Sequence, residues 1–385
     1  ADLWDGVKNR RGAPCTHDTM APSFSTTKGV ASTLMHIAVD RGLVDYDDPV
    51  ALHWPEFAQA GKERITIRQV MAHQSGLYHI RQMIDRADRM LDWDYMVRAI
   101  ERTAPIHEPG TRTGYHGLTY GFLVGEILQR VTGRAFPRLV QDELVRPLGL
   151  DGMYVGAPDE ALPRAAELLW PETSVMAPVE VLAHGGIASA LLTGGASALQ
   201  SVLRFVGVQL DLASILDALA PNGITSFEFG AHDTLRAAIP AANGLFTARS
   251  LARMYAALAG GGEIDGVRLM SASTLQRATE VQEAPAGRVV IPFDMRWRLG
   301  YHGVATTRGV PKRAFGHFGF GGSGAWADPR RDLAVALIVN SGLGTPFGDT
   351  RILRISGAAL ACASMRTSPP PARRAERPSL VYVPA

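Results

Sequence analysis

Ser25 and Lys28 lie three residues apart in the run Ser23-Phe24-Ser25-Thr26-Thr27-Lys28-Gly29-Val30, at the head of a stretch patterned as a helix. At that spacing one helical face carries both the hydroxyl and the amine, within hydrogen-bond reach of each other. A serine alcohol attacks a carbonyl only once a base takes its proton, and an amine kept neutral by burial is such a base. The helix amino terminus adds an electropositive field, and the Ser25 N–H is placed to hold a developing oxyanion. The plainer reading is a solvated surface lysine. Composition argues against it, because lysine stands only at positions 8, 28, 62 and 312, and Lys28 sits among small and apolar residues. The pair therefore predicts acyl transfer through a serine nucleophile.

Two further elements lie downstream. Pro109-Gly110-Thr111-Arg112-Thr113-Gly114-Tyr115 leads into a helical pattern, and Gly316-His317-Phe318-Gly319 opens a strand-like stretch. With Ser25 and Lys28 ahead of them, in this order, they resemble the class C β-lactamases, the serine DD-peptidases and the esterases built on the same fold. The phrases ITIRQVMAHQSGL, FLVGEIL and GGSGAWADP look like the same family, so the resemblance covers about 2–365. It implies that Tyr115 shuttles the proton, as a phenolate stabilised by Lys28. The letters leave the base open between Lys28 and Tyr115. It also implies that His317, Phe318 and Gly319 lie on an edge strand lining the cleft, with the Phe320 N–H as the second oxyanion donor beside that of Ser25.

Two departures bear on substrate. The second element reads Tyr115-His116-Gly117, so the asparagine that would bind a β-lactam or peptide amide is replaced by Gly117. The third begins with His317 where β-lactamases usually have lysine, which turns a permanent cation for a substrate carboxylate into a titratable one. Both changes favour an uncharged ester. The expected activity is a carboxylesterase acting on small or medium esters through a Ser25 acyl-enzyme. β-Lactamase, DD-peptidase and acyltransferase activities are the alternatives, and a catalytically dead binding protein is the rival of another class. Leu168, Leu169, Trp170 and Met176, the stretch from Ile224 to Phe229, and an aromatic rim of Phe318 and Phe320 are candidate walls of an acyl pocket.

The elements that must position these groups follow from periodicity and turn chemistry. Helices are predicted over 25–42, over 64–81 with a stop at Gly76, through 84–103, over 115–132 ending at Gly133, and over 135–145. A helix over 247–262 starts at the N-cap Thr247, and the last helix covers 349–365. Asp328-Pro329-Arg330-Arg331-Asp332 reads as the turn of a hairpin within 316–340. The middle, 160–240, reads as short helices and long loops. The fold class is α+β: a lobe with an antiparallel sheet flanked by helices, made from 1–50 and 245–365, and an inserted helical lobe, 51–244, followed by a loose tail, 366–385. The amino end, ADLWDGV, resembles a sheet strand but lacks the family's preceding one, so a truncated or processed chain, or an exposed sheet edge, is expected.

The totals exclude other classes. The 385 residues are 46% hydrophobic and 20% charged, with a formal net charge of +2 and no basic block, which argues against disorder and a nucleic-acid partner. No apolar run approaches the roughly 20 residues that span a bilayer. Cys15 and Cys362 are too few for a disulfide framework and fit a reducing, cytoplasmic compartment, although a signal already removed would leave no trace. No His-Glu-x-x-His or close Cys/His set points to a metal, and no glycine loop to a nucleotide, so neither metal nor cofactor is expected. His73 and His79 read as capping or packing residues. Gly322-Ser323-Gly324 lacks the last glycine of a lipase-type elbow, and His184-Gly185-Gly186 has no elbow to serve. A small-molecule ester is the expected partner, and the oligomeric state is not legible.

Overall fold

The structure is a computed structural model that describes residues 1–169, 211–342 and 349–367. The helix predicted from Ser25 begins a turn late: Phe24–Thr26 forms one 3₁₀ turn, and helix α1 runs Thr27–Asp40, followed by Gly42 at φ 69°. Every residue from Thr27 to Val39 is buried, so α1 threads the core and its hydroxyls need partners there. Ser32 Oγ donates to Lys28 O at 2.6 Å and lies 2.7 Å from the Tyr120 hydroxyl; Thr33 Oγ1 donates to Gly29 O at 2.7 Å and lies 2.8 Å from that of Tyr301.

Helix α2, Ile67–Met71, is shorter than the pattern over 64–81 suggests. Thr66 and Gln69 close its start as a capping box, but His73 at φ 59° and Gly76 at φ 75° turn the chain away at its end. Helix α3, Trp93–Arg102, is capped by Asp92, and the residues before it form a 3₁₀ turn, Ala87–Leu91, rather than more helix. Helix α4, Thr119–Thr132, ends at the left-handed Gly133 as predicted. The segment predicted over 135–145 is helical over Phe136–Val140 and then widens into a π turn, Gln141–Val145. The middle contributes helix α5, Leu212–Leu219, and short turns. Helix α6, Ala248–Ala259, begins at Thr247, whose hydroxyl accepts from Ser250 N at 3.2 Å.

The sheet comes from the last third of the described chain. Its strands are β1 (His302–Gly303), β2 (Phe315–Phe318), β3 (Gly324–Asp328) and β4 (Leu333–Leu337), all antiparallel, in the order β4-β3-β2-β1. The turn joining β3 to β4 is the predicted one, with Asp328 Oδ1 accepting from Arg330 N at 3.0 Å and Asp332 at φ 47°. Alternation along β3 sorts the layers: Ala325 and Ala327 join the main core with α1 and α6, whereas Trp326 faces the last helix, α7 (Arg351–Thr367), and donates to Ser356 Oγ at 2.9 Å. The sheet is thus packed between helices. Among the described strands β4 pairs on one side only, and Ala1–Asp5 joins no strand. A separate three-stranded patch of two-residue strands ties Ala21–Pro22 to Leu245–Phe246 and Met153–Tyr154, which fixes the segment that delivers Ser25. Among the described residues no helix is long and apolar enough to cross a membrane.

One glycine is required where α1 meets its neighbours. A Cβ at Gly29 would fall 2.1 Å from the Tyr255 hydroxyl oxygen, the end of a fully buried ring on α6. Gly29→Ala is expected to lower the thermal unfolding midpoint, with a cost of about 1–3 kcal/mol typical of overpacking. The double variant Gly29→Ala/Tyr255→Phe, which removes the clashing oxygen, should recover most of that loss in the same scan.

Candidate active site

Ser25 is carried on a strained turn. Phe24, immediately before it, has φ 45°, a left-handed conformation that costs a bulky residue on the order of 1–3 kcal/mol unless its surroundings impose it. They do so here from several sides. Thr27 Oγ1 donates to Phe24 O at 2.6 Å and accepts from Gly244 N at 2.9 Å, and Ser23 N donates to Gly244 O at 2.9 Å. The Phe24 ring packs against Phe229 at 5.2 Å and edge-on against Phe320 at 5.5 Å between centroids.

The three groups expected to do chemistry meet. Lys28 Nζ lies 3.1 Å from Ser25 Oγ, and the Tyr115 hydroxyl donates to the same oxygen at 2.7 Å. Lys28 Nζ also donates to Gly117 O at 2.6 Å and to Ala241 O at 2.9 Å. Those carbonyls come from two distant loops. Gly117 sits just ahead of α4, and the Ala241 loop is folded around the fully buried Asn243, which accepts from Ile239 N at 2.9 Å and donates to Thr234 O and Ala237 O at 2.6 Å each. A Cβ at Gly121 would fall 2.3 Å from Ala241 N, so only glycine lets α4 reach that loop.

Burial sets the protonation. Lys28 is fully enclosed and desolvation pushes its amine well below the usual lysine range, while burial of Tyr115 raises its phenol and the hydrogen bond to Ser25 only partly offsets this. Both shifts favour neutral amine and neutral phenol over the ammonium–phenolate pair that the sequence suggested. Hydrogen-bond inventory agrees: a neutral amine has two N–H groups, which the two carbonyls take, and one lone pair left for the serine proton. Tyr115 is further held by Trp297, stacked on it at 5.5 Å and 18°, and by the His73 ring at 5.1 Å. Nothing in the sequence pattern singled out Trp297 or Asn243. His73 and His79 both pack as expected: His73 accepts from His116 N at 3.2 Å, and His79, which makes no capping bond, is buried against Tyr78.

The third element approaches from β2. A Cβ at Gly319 would fall 2.4 Å from Ser23 O and 2.9 Å from Thr26 Oγ1, so the glycine permits contact between the strand end and the nucleophile's turn. Gly319 N donates to Ser323 O at 2.7 Å, closing the turn that carries Phe320 beside Ser25. With all three elements around one serine, comparison with known proteins decides the family. The Beta-lactamase family matches residues 1–360. This chain belongs to it.

Among its relatives, "Esterase/beta-lactamase LipL" of Mycobacterium tuberculosis is 37% identical over 343 residues, 88% of this chain and 73% of that protein. A penicillin-binding protein homologue from Caulobacter crescentus superposes with a TM-score of 0.78 at 33% identity, covering 93% of this chain and 87% of the other. A family VIII carboxylesterase gives 0.76 at 30% identity, covering 93% and 88%. The fold is that of the β-lactamases and penicillin-binding proteins.

Within that family frame, three expectations need correction. The strand bearing His317 is not an edge: β1 flanks β2, and the ring of its His302 accepts from Phe318 N at 2.9 Å, taking the amide an edge would expose. The burial of His317 disfavours the titratable cation expected there. The ring Nδ1 is 3.0 Å from Phe318 O, and desolvation pushes the group well below the usual histidine range. Phe318 does not rim the site but turns to the opposite face of the sheet, against Val304, Trp326, Val335 and Leu360. Of the proposed pocket walls, Phe229 reaches the site through Phe24, and Trp170 and Met176 lie outside the described residues, as does the separate His184-Gly185-Gly186 pattern. No group of three His, Cys, Asp or Glu side chains among the described residues is arranged to hold a metal.

Gly319→Ala forces the strand end away from Ser25, so Ser25 labelling by a fluorophosphonate is expected to slow by about 10²–10³-fold, the scale of losing an oxyanion donor. Circular dichroism should show the fold retained.

Proposed function

We propose that the chain is a serine carboxylesterase that hydrolyses small or medium carboxylic esters through a Ser25 acyl-enzyme. The observation that carries the choice of substrate is the burial of His317: the position that would meet a substrate carboxylate offers an enclosed ring whose desolvation disfavours the charged form. Gly117 supports it from the other side, since no side-chain amide stands there to bind a β-lactam or peptide. The esterase named among the relatives, and the carboxylesterase among the structural neighbours, point the same way.

In the proposed cycle, Lys28 Nζ takes the Ser25 hydroxyl proton as Oγ bonds to the ester carbonyl carbon. The oxyanion forms against the Ser25 and Phe320 N–H groups. Collapse breaks the bond to the alcohol oxygen, which leaves with the Tyr115 proton, and the new Lys28 ammonium stabilises the phenolate. Water then gives a proton to that phenolate while its oxygen adds to the acyl carbon. The second collapse expels Ser25 Oγ, which recovers its proton from Lys28. The sum is ester plus water to acid plus alcohol.

LipL's name joins esterase to β-lactamase, so β-lactam hydrolysis is the second reading. Turnover of p-nitrophenyl butyrate against a chromogenic cephalosporin separates the two: higher kcat/KM on the ester is expected, and faster cephalosporin hydrolysis would overturn the proposal. Ser25→Ala should form no acyl-enzyme. Lys28→Arg, charged at every accessible pH, should lose about 10²–10⁴-fold in kcat/KM. In the unsubstituted enzyme, protonation occupies the amine lone pair, so kcat/KM should fall as pH drops through the lowered Lys28 pKa.

A further inference from the structure

Gly117 stands two residues after Tyr115, where the resembling motif carries asparagine, and its own surroundings explain why no side chain is present. A Cβ there would fall 2.2 Å from Leu219 Cδ2 and 2.7 Å from the Ala218 carbonyl oxygen. The end of α5 already occupies that volume. Ala218 is fully buried, but Leu219 is 41% exposed, a large apolar side chain open to solvent beside the loop whose Gly117 carbonyl holds Lys28.

α5 is firmly anchored in this position. Gln82 Nε2 donates to Asp217 Oδ2 at 2.6 Å and Arg81 Nη1 to Ala220 O at 2.8 Å, while Asp211 caps its start by accepting from Ser214 N at 3.1 Å. Its inner face, Ile215 and Ala218, packs with Tyr78, Tyr115, Val290 and Trp297. The same helix therefore roofs the catalytic tyrosine and presents Leu219 next to it.

We infer that Leu219 is the specificity-determining residue of this site, giving the acyl group of an ester an apolar wall where an amide-binding side chain would otherwise stand. The inference rests on the esterase reading and narrows it to esters with apolar, uncharged acyl chains. A leucine methyl offers no partner to an amide N–H, so an acyl group carrying one would bury it unsatisfied, whereas an alkyl chain gains contact with each methylene.

The test holds the leaving group constant and varies the acyl chain, measuring kcat/KM on p-nitrophenyl acetate, butyrate and octanoate. Leu219→Asp should lower the butyrate-to-acetate ratio by about 10-fold or more, the discrimination a methylene or two earns in an apolar pocket, and Leu219→Ala should lower it less. Because Leu219 is partly exposed, both variants should fold; if Leu219→Asp does not, Leu219→Ala carries the test. Gly117→Ala should slow fluorophosphonate labelling of Ser25, and adding Leu219→Ala should restore part of the rate. Unchanged acyl-chain ratios in variants that hydrolyse the esters overturn this inference alone. If the unsubstituted chain hydrolyses none of the three, the esterase reading fails and this inference falls with it.

Discussion

The enclosure of the Lys28 amine organises the molecule. Removing an ammonium from water costs several kcal/mol, and a site without an anion to meet it lowers that cost by giving up the proton. The pocket supplies two backbone carbonyls and one hydroxyl, and the described structure places no carboxylate among the amine's hydrogen-bond partners. Each carbonyl depends on a separate piece of fold: Gly117 on the start of α4, Ala241 on the loop folded around Asn243. The helix that bears Lys28 is buried along its length, with small, hydroxylated and apolar residues and no charged side chain between Lys28 and Asp40, and Gly29 admits Tyr255.

A second constraint is the strained turn at Phe24. The amino terminus of α1 alone would not fix Ser25, because a short 3₁₀ turn has freedom to relax. Its geometry is imposed by the neighbouring Thr27 and by Gly244, Phe229 and the close approach of Gly319, which lie far away in sequence. Ser25, Lys28, Tyr115 and the turn at Gly319 are therefore held by the packing of distant elements against one another. This explains why the motif glycines and the buried aromatic residues matter as much as the reactive side chains.

Much of this was legible in the letters. Ser25 and Lys28, the Thr247 cap, the Gly133 stop and the turn at Asp328 follow from spacing or local chemistry, each a short-range signal, whereas Tyr115 was singled out by the family resemblance. What the letters missed depends on tertiary environment. His317 has the same side chain whether exposed or buried, and only its burial disfavours the charged form. Phe318 lies one residue along the same strand, and the period of two sends it to the far face. The helix expected over 64–81 fails after Met71 because His73 adopts a left-handed backbone that apolar periodicity does not encode. Leu219 lies about a hundred residues from Gly117, in a stretch with no motif, so no local pattern links them.

The central claim is that Lys28 rests as a neutral amine. Only four lysines are present, so a ¹⁵N-lysine-labelled sample gives a spectrum simple enough to titrate directly by NMR, with the Lys28 signal assigned by its loss in Lys28→Met. The account predicts that this amine titrates well below the ordinary lysine value of about 10.4 and is unprotonated where the enzyme works. A Lys28 signal that keeps its proton up to that ordinary value would contradict it.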